Sequence, residues 1–224
     1  MKFNTSTDIS IEIKEVGDSH IFIIDNFLTN PDDLVDYATK RAYFSPPGKD
    51  GTLYPGIRDL LPKPYERVLE ELCKIVHGSD LIISVHRCLL SLVTVEEDNL
   101  GELQTFPHID SIDNTEFACV HYLCSEKYGG TSIYKYIPEN IIKITEEETH
   151  IFEDILKNNR NKKYLNGSTE LFERVVEIKA KYNRIVIYPS NLLHCADINH
   201  TYSISNDPKF GRLTVASFYK ITPL

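Results

Sequence analysis

Apolar and polar positions alternate at the start of the chain: Ile9, Ile11 and Ile13, then Gly17-Asp18, then the apolar run Ile21–Ile24. A period of two on either side of a turn predicts a β-hairpin. At Asn30-Pro31-Asp32-Asp33 the pattern changes to a helix start, with a capping residue, proline at the first position and acids in the first turn. That helix is expected to reach about Tyr43 and to stop before Ser45-Pro46-Pro47-Gly48. A Gly/Pro-rich loop follows, through Tyr54-Pro55-Gly56-Ile57-Arg58. Pro64 opens a second helix to about His77, with Val68, Leu69, Leu72 and Ile75 on one side.

Beyond Gly78 the chain reads as short apolar runs rich in Val, Ile, Thr and Tyr. These are Leu81–Val85, Cys88–Val95, Phe117–Leu123, Thr131–Tyr136, Val175–Ala180, Arg184–Tyr188 and Leu213–Ile221. Repeated strands predict a mainly β sandwich or barrel, here with flanking α-helices. The stretch 138–174 is charged and is expected to be an insertion with one or two helices. The whole chain, 1–224, is read as a single domain: 1–78 packs its hairpin and helices on a core formed by 79–224.

Composition narrows the function. Hydrophobic residues make up 42% and charged residues 25% of the 224, which is globular rather than disordered. No apolar run is long enough to cross a membrane as a helix, and the N-terminus carries no secretory apolar region. The formal charge of −9 lacks the footprint of a phosphate-backbone binder, so nucleic acid is not an expected partner. The five cysteines are odd in number and contain no CxxC pair, which fits reduced thiols and a cytoplasmic location.

Candidate chemistry centres on Phe106-Pro107-His108-Ile109-Asp110. In a strand, residues two apart project from one face, so His108 and Asp110 can reach the same point. His194 lies 84 positions beyond Asp110, after the apolar run Ile185–Tyr188. Two imidazoles and a carboxylate on one octahedral face leave positions open, the arrangement of non-haem Fe(II) oxygenases. Taken alone, H-x-D is weak and a lone histidine is more often structural. Eighteen positions after His194 comes Arg212, with Thr214 on the same face of a predicted strand. A guanidinium fork with an adjacent hydroxyl suits a small dicarboxylate, whereas an isolated arginine there would more simply pair with a surface acid.

On these residues the sequence resembles the 2-oxoglutarate- and Fe(II)-dependent dioxygenase superfamily, in its prolyl-hydroxylase-like branch. Four stretches carry the resemblance, in the family's order over about residues 80–221. They are His108-Ile109-Asp110; Val120-His121-Tyr122-Leu123 with Gly129-Gly130-Thr131; Asn183–Tyr188 leading to His194; and Arg212-Leu213-Thr214. The resemblance implies a double-stranded β-helix, a cupin-like jelly-roll core. It implies His108, Asp110 and His194 as ligands of Fe(II), and Arg212, assisted by Thr214, as partner of the far carboxylate of the cosubstrate 2-oxoglutarate. Tyr122 matches a tyrosine that hydrogen-bonds that cosubstrate, and O2 is the oxidant.

The interval from His194 to Arg212 is longer than usual in the superfamily, which makes Asn199–Phe210 a loop and leaves Arg184 or Lys209 as substitutes for Arg212. Asp110 is present, whereas related halogenases replace that carboxylate, so hydroxylation is the expected outcome. The substrate class is a small molecule, an amino acid or a peptidyl side chain. The contact regions would be 48–58, 97–104 and 199–210. Two other readings compete: a cupin-like metal enzyme that does not use 2-oxoglutarate, and a non-catalytic jelly-roll binding protein. His121 would face away from Tyr122 and pack, Tyr134 could line the pocket, and the cysteines near the strands read as small buried hydrophobes.

Overall fold

The computed structural model describes residues 2–224. Ten strands and three α-helices follow one another as β1 (Ser10–Val16), β2 (Ser19–Asp25), α1 (Asp32–Lys40), β3 (Gly56–Leu60), α2 (Lys63–His77), β4 (Leu81–Val93), β5 (Glu116–Tyr122), β6 (Gly129–Tyr136), α3 (Ile151–Asn158), β7 (Phe172–Lys179), β8 (Arg184–Pro189), β9 (His194–Ile198) and β10 (Leu213–Pro223). The protein is mainly β, and every strand pair is antiparallel. Seven strands form one sheet in the order β1-β2-β8-β5-β10-β4-β3, and three form a second in the order β7-β6-β9.

The central strands of the large sheet, β8, β5 and β10, are covered on both faces, which is why they read as nearly continuous apolar runs, whereas edge strand β1 is largely exposed. On one face Tyr65, Val68, Leu69 and Leu72 of α2 pack against Cys88, Leu90, Leu92, Ile185, Ile187 and Val215. On the other face Ile23, Ala118, Val186 and Tyr188 meet Ile133 and Ile178 of the small sheet. The candidate site lies in the space between the two sheets.

Several local expectations change. Helix α1 stops at Lys40, and the Asn30 side chain donates to the Asp33 carboxylate instead of capping a backbone N–H. Leu81–Val93 is one strand, not two, because β10 runs along its whole length and absorbs the break as a bulge that leaves His86 unpaired. The stretch 138–174 contains one helix, α3, and its last residues already belong to β7. Gly56–Leu60, expected as loop, is an edge strand on β4. Gly56 is required there because a Cβ would lie 2.0 Å from the Leu92 carbonyl oxygen.

Candidate active site

His108 and His194 are brought together by the backbone. Each donates its N–H to the other's carbonyl at 2.9 Å, so a short segment carrying His108 pairs with the first residue of β9. The turn feeding β9 also holds Asp110, whose N–H donates to the Ser190 carbonyl at 2.8 Å. One donor atom from each of His108, Asp110 and His194 lies within 4.8 Å of the others. Asp110 Oδ2 is 3.3 Å from His194 Nε2, and Asp110 Oδ1 is 3.9 Å from His108 Nε2.

The electrostatics suit a cation. Burial and then the His194 ring push the His108 pKa down, so His108 is neutral with a lone pair to give. Burial opposes ionisation of Asp110, but the two imidazoles and Arg58 outweigh it and hold the carboxyl below its ordinary value. Burial pulls His194 down, while Asp110 and the Leu192 carbonyl more than offset this and raise it. A divalent ion would take the place of the proton that Asp110 and His194 compete for.

The triad opens into a cavity of about 90 Å³. Ala118, Val120, Ala216 and Phe218 give it apolar walls, and Thr131, Arg212 and Thr214 form its far end. Arg212 is 2% exposed, yet no acidic side chain pairs with it among the described residues. Its Nη2 donates to the Gly130 carbonyl at 2.6 Å, while its Nε has no partner. The buried hydroxyl of Tyr54 is likewise unpartnered beside Arg212 and Thr214. A buried guanidinium without a counter-charge is costly, and an anionic ligand at this end would satisfy both orphaned groups.

Tyr122 is fully buried behind this end rather than in the cavity wall; its hydroxyl shares a 2.6 Å hydrogen bond with Thr131, which does line the cavity. The substitutes for Arg212 are engaged elsewhere or remote. Arg184 grips Asp25 through both carboxylate oxygens at 2.6 and 3.1 Å, and Lys209 sits in the loop before β10. Tyr134 packs on Phe172 in a separate cluster. His121 is fully buried and bonds Tyr65 and Asn183.

Tyr54 and Arg58 reach the cavity from the 48–58 stretch expected to contact substrate, which carries none of the four motifs. Arg58 faces the triad end from edge strand β3, and its guanidinium carbon is 4.0 Å from the centre of the Tyr54 ring. The loops 47–54 and 95–104 line an adjoining open groove of about 420 Å³ that shares Tyr54 with the cavity.

Fold and site thus define a mainly β protein with a two-histidine, one-carboxylate cluster and a buried arginine in one cavity. The chain belongs to the family described as Family of unknown function (DUF6445), whose model matches residues 7–219. A comparison with curated proteins gives no match. No helix among the described residues is long and apolar enough to cross a membrane.

Proposed function

We propose that this protein is an Fe(II)- and 2-oxoglutarate-dependent oxygenase that hydroxylates an unactivated C–H bond of a small molecule, an amino acid or a peptidyl side chain. The observation that carries this reading is the shared cavity: the His108, Asp110 and His194 donors sit at one end and the unpaired Arg212 guanidinium at the other. The strand order supports a double-stranded β-helix. β8-β5-β10-β4 of the large sheet faces β7-β6-β9, and His108 adds a single antiparallel bridge to the free edge of β9.

Fe(II) with bound 2-oxoglutarate supplies oxidative chemistry with O2 that no side chain here could perform. The chain's own residues orient and shield. His108, Asp110 and His194 would hold the ion with three protein donors, so a keto acid and O2 could share it. Arg212 offers a fork to the far carboxylate, with the Thr214 and Tyr54 hydroxyls beside it. Ala118, Val120, Ala216 and Phe218 keep water from the reacting groups.

Anaerobic addition of Fe(II) and then 2-oxoglutarate to metal-free protein tests the reading. The expected result is a visible charge-transfer band that is lost in His108→Ala and weakened in Arg212→Ala. Metal binding without the band would replace this reading with a metal enzyme that does not use 2-oxoglutarate.

A further inference from the structure

Arg58 lines the same cavity as the triad and packs on Tyr54, whose other neighbour is Arg212, while Arg87 lies on the neighbouring strand over Phe218. Arg58 Nε donates to Ser91 Oγ at 3.1 Å, and its Nη1 donates to Asp50 Oδ2 at 3.2 Å and Thr52 Oγ1 at 3.0 Å. Three bonds and the Tyr54 ring fix the plane of a side chain that is 10% exposed. Its Nη2 keeps no partner among the described residues, although the guanidinium lines the same cavity as His108 and Asp110. Arg87, on the neighbouring strand β4, lies 5.1 Å over the ring of Phe218, another cavity residue, and forms no ion pair among the described residues. The Phe218 ring thus places the Arg87 guanidinium beside the cavity that Arg58 lines.

A guanidinium that lines the cavity with a free Nη2, and a second one beside the cavity wall, both favour an anion there. The arrangement is more pointed in a chain whose net charge is −9. With a divalent ion on the triad, this side of the cavity would repel a cationic substrate group and attract an anionic one. A carboxylate or phosphate presents paired oxygens that match a guanidinium fork.

Resting on the oxygenase reading, we propose that Arg58 and Arg87 form a substrate-binding site for an oxyanion, so that the molecule oxidised carries a carboxylate or a phosphate near the reacting carbon. Arg212 then serves the cosubstrate, and the β3–β4 arginines serve the substrate. Specificity would come from an edge strand and its preceding loop, docked on a rigid sheet.

Isothermal titration of zinc-loaded protein, with 2-oxoglutarate saturating, tests the site. The probes are the N-acetyl amides of aspartate, glutamate and phosphoserine, beside those of asparagine, glutamine, serine and lysine. At least one acidic probe is expected to bind about tenfold or more tighter than its uncharged counterpart, the scale of one charge-assisted hydrogen bond. Comparing the phosphoserine probe with the other two tells phosphate from carboxylate. Arg58→Gln and Arg87→Gln should each erase that preference, and Arg87→Gln should leave 2-oxoglutarate affinity within about twofold. Arg87 makes no hydrogen bonds within the fold, so its variant remains informative if Arg58→Gln folds poorly. Equal binding of charged and uncharged probes overturns the proposal, as does no binding of any acidic probe, or a preference that survives in both variants. Two further titrations of the zinc-loaded protein separate the two readings: one with 2-oxoglutarate alone, where failure to bind sinks the oxygenase reading, and one with the probes in its absence, where the charge preference is scored independently.

Discussion

The Nδ1–H of His194 donates to the carbonyl of Leu192, two residues back along the chain, at 2.8 Å. This bond fixes the tautomer, so Nε2 carries the lone pair and faces Asp110. A ligand oriented in this way binds metal without first having to reorganise. His194→Ala is therefore expected to weaken Mn(II) binding by roughly 100-fold or more, at or beyond the upper end of what loss of an outer-shell partner alone costs. Electron paramagnetic resonance titration of free Mn(II) measures it, and wild-type affinity in the variant would show that the ligand set is wrong.

Arg212 gives a prediction in which stability and binding move in opposite directions. A buried guanidinium that no carboxylate hydrogen-bonds, with buried Asp197 acting on it only through space, is a burden on the unliganded fold. Arg212→Met should raise the free energy of unfolding by about 1–3 kcal/mol. The same change should abolish the extra thermal stability that 2-oxoglutarate confers on metal-loaded protein. Urea unfolding and melting curves with and without 2-oxoglutarate read both effects, and a destabilised variant would mean that the fold needs the charge.

His121 sets an acid limit on stability. It is fully buried, shares a hydrogen bond with Tyr65 through Nδ1 and one with Asn183 Oδ1 through Nε2, and burial pushes its pKa down to about 4. In the unfolded chain the ring takes a proton near pH 6.5, while in the native fold it stays neutral until about pH 4. The stability is thus complete above pH 6.5 and falls as the pH drops towards 4, by about 2 kcal/mol at pH 5 and about 3 kcal/mol in all. His77, pushed down to about 4 by burial but less enclosed, adds in the same direction. Urea unfolding of His121→Gln at pH 7.5 and pH 5 should show a smaller drop between the two than wild type; an equal drop would place the acid sensitivity elsewhere.

The hairpin and the helices were legible in outline: Val68, Leu69 and Leu72 on α2 reach one core, and Gly17 takes a positive φ at the turn between β1 and β2. Ile75, read on the same side of α2, is however exposed, as are Ile11 and Ile13 of β1. The triad was legible too, since H-x-D on an extended segment projects to one side whatever the tertiary structure. Strand β3 was hidden by Pro55-Gly56, a pair that reads as loop and whose glycine answers to a carbonyl of β4. Strand β9 was hidden because its five residues mix a histidine, a cysteine and an aspartate, and their pairing with β6 is a long-range fact. Arg58 fell in the 48–58 stretch expected to contact substrate, but its own place beside the triad was hidden for the same reason. It stands 50 positions before His108, and only the register of β3 on β4 turns it towards the triad.

The glycine pair at the start of β6 ties backbone geometry to the candidate site. Gly129 has φ +104°, and a Cβ there would lie 1.7 Å from the carbonyl oxygen of Asp197; at Gly130 it would lie 2.1 Å from that of Ile178. Both obstacles are backbone of the flanking strands, so neither can swing aside as a flexible side chain would. Gly129→Ala is expected to cost about 3 kcal/mol or more, adding a left-handed backbone penalty to the clash. Gly130→Ala should do more than destabilise. Its carbonyl is the acceptor that fixes Arg212, so β6 cannot move away from β7 without carrying that acceptor along. The expected result is a weaker 2-oxoglutarate complex, by about tenfold, even where the variant remains folded. Gly101→Ala provides the comparison, because its Cβ would meet only the movable end of Gln104 at 3.4 Å. It should change stability by less than about 1 kcal/mol and leave 2-oxoglutarate binding as it is. Folded Gly130→Ala protein with wild-type affinity would separate Arg212 from the glycine turn and leave the turn a purely architectural part.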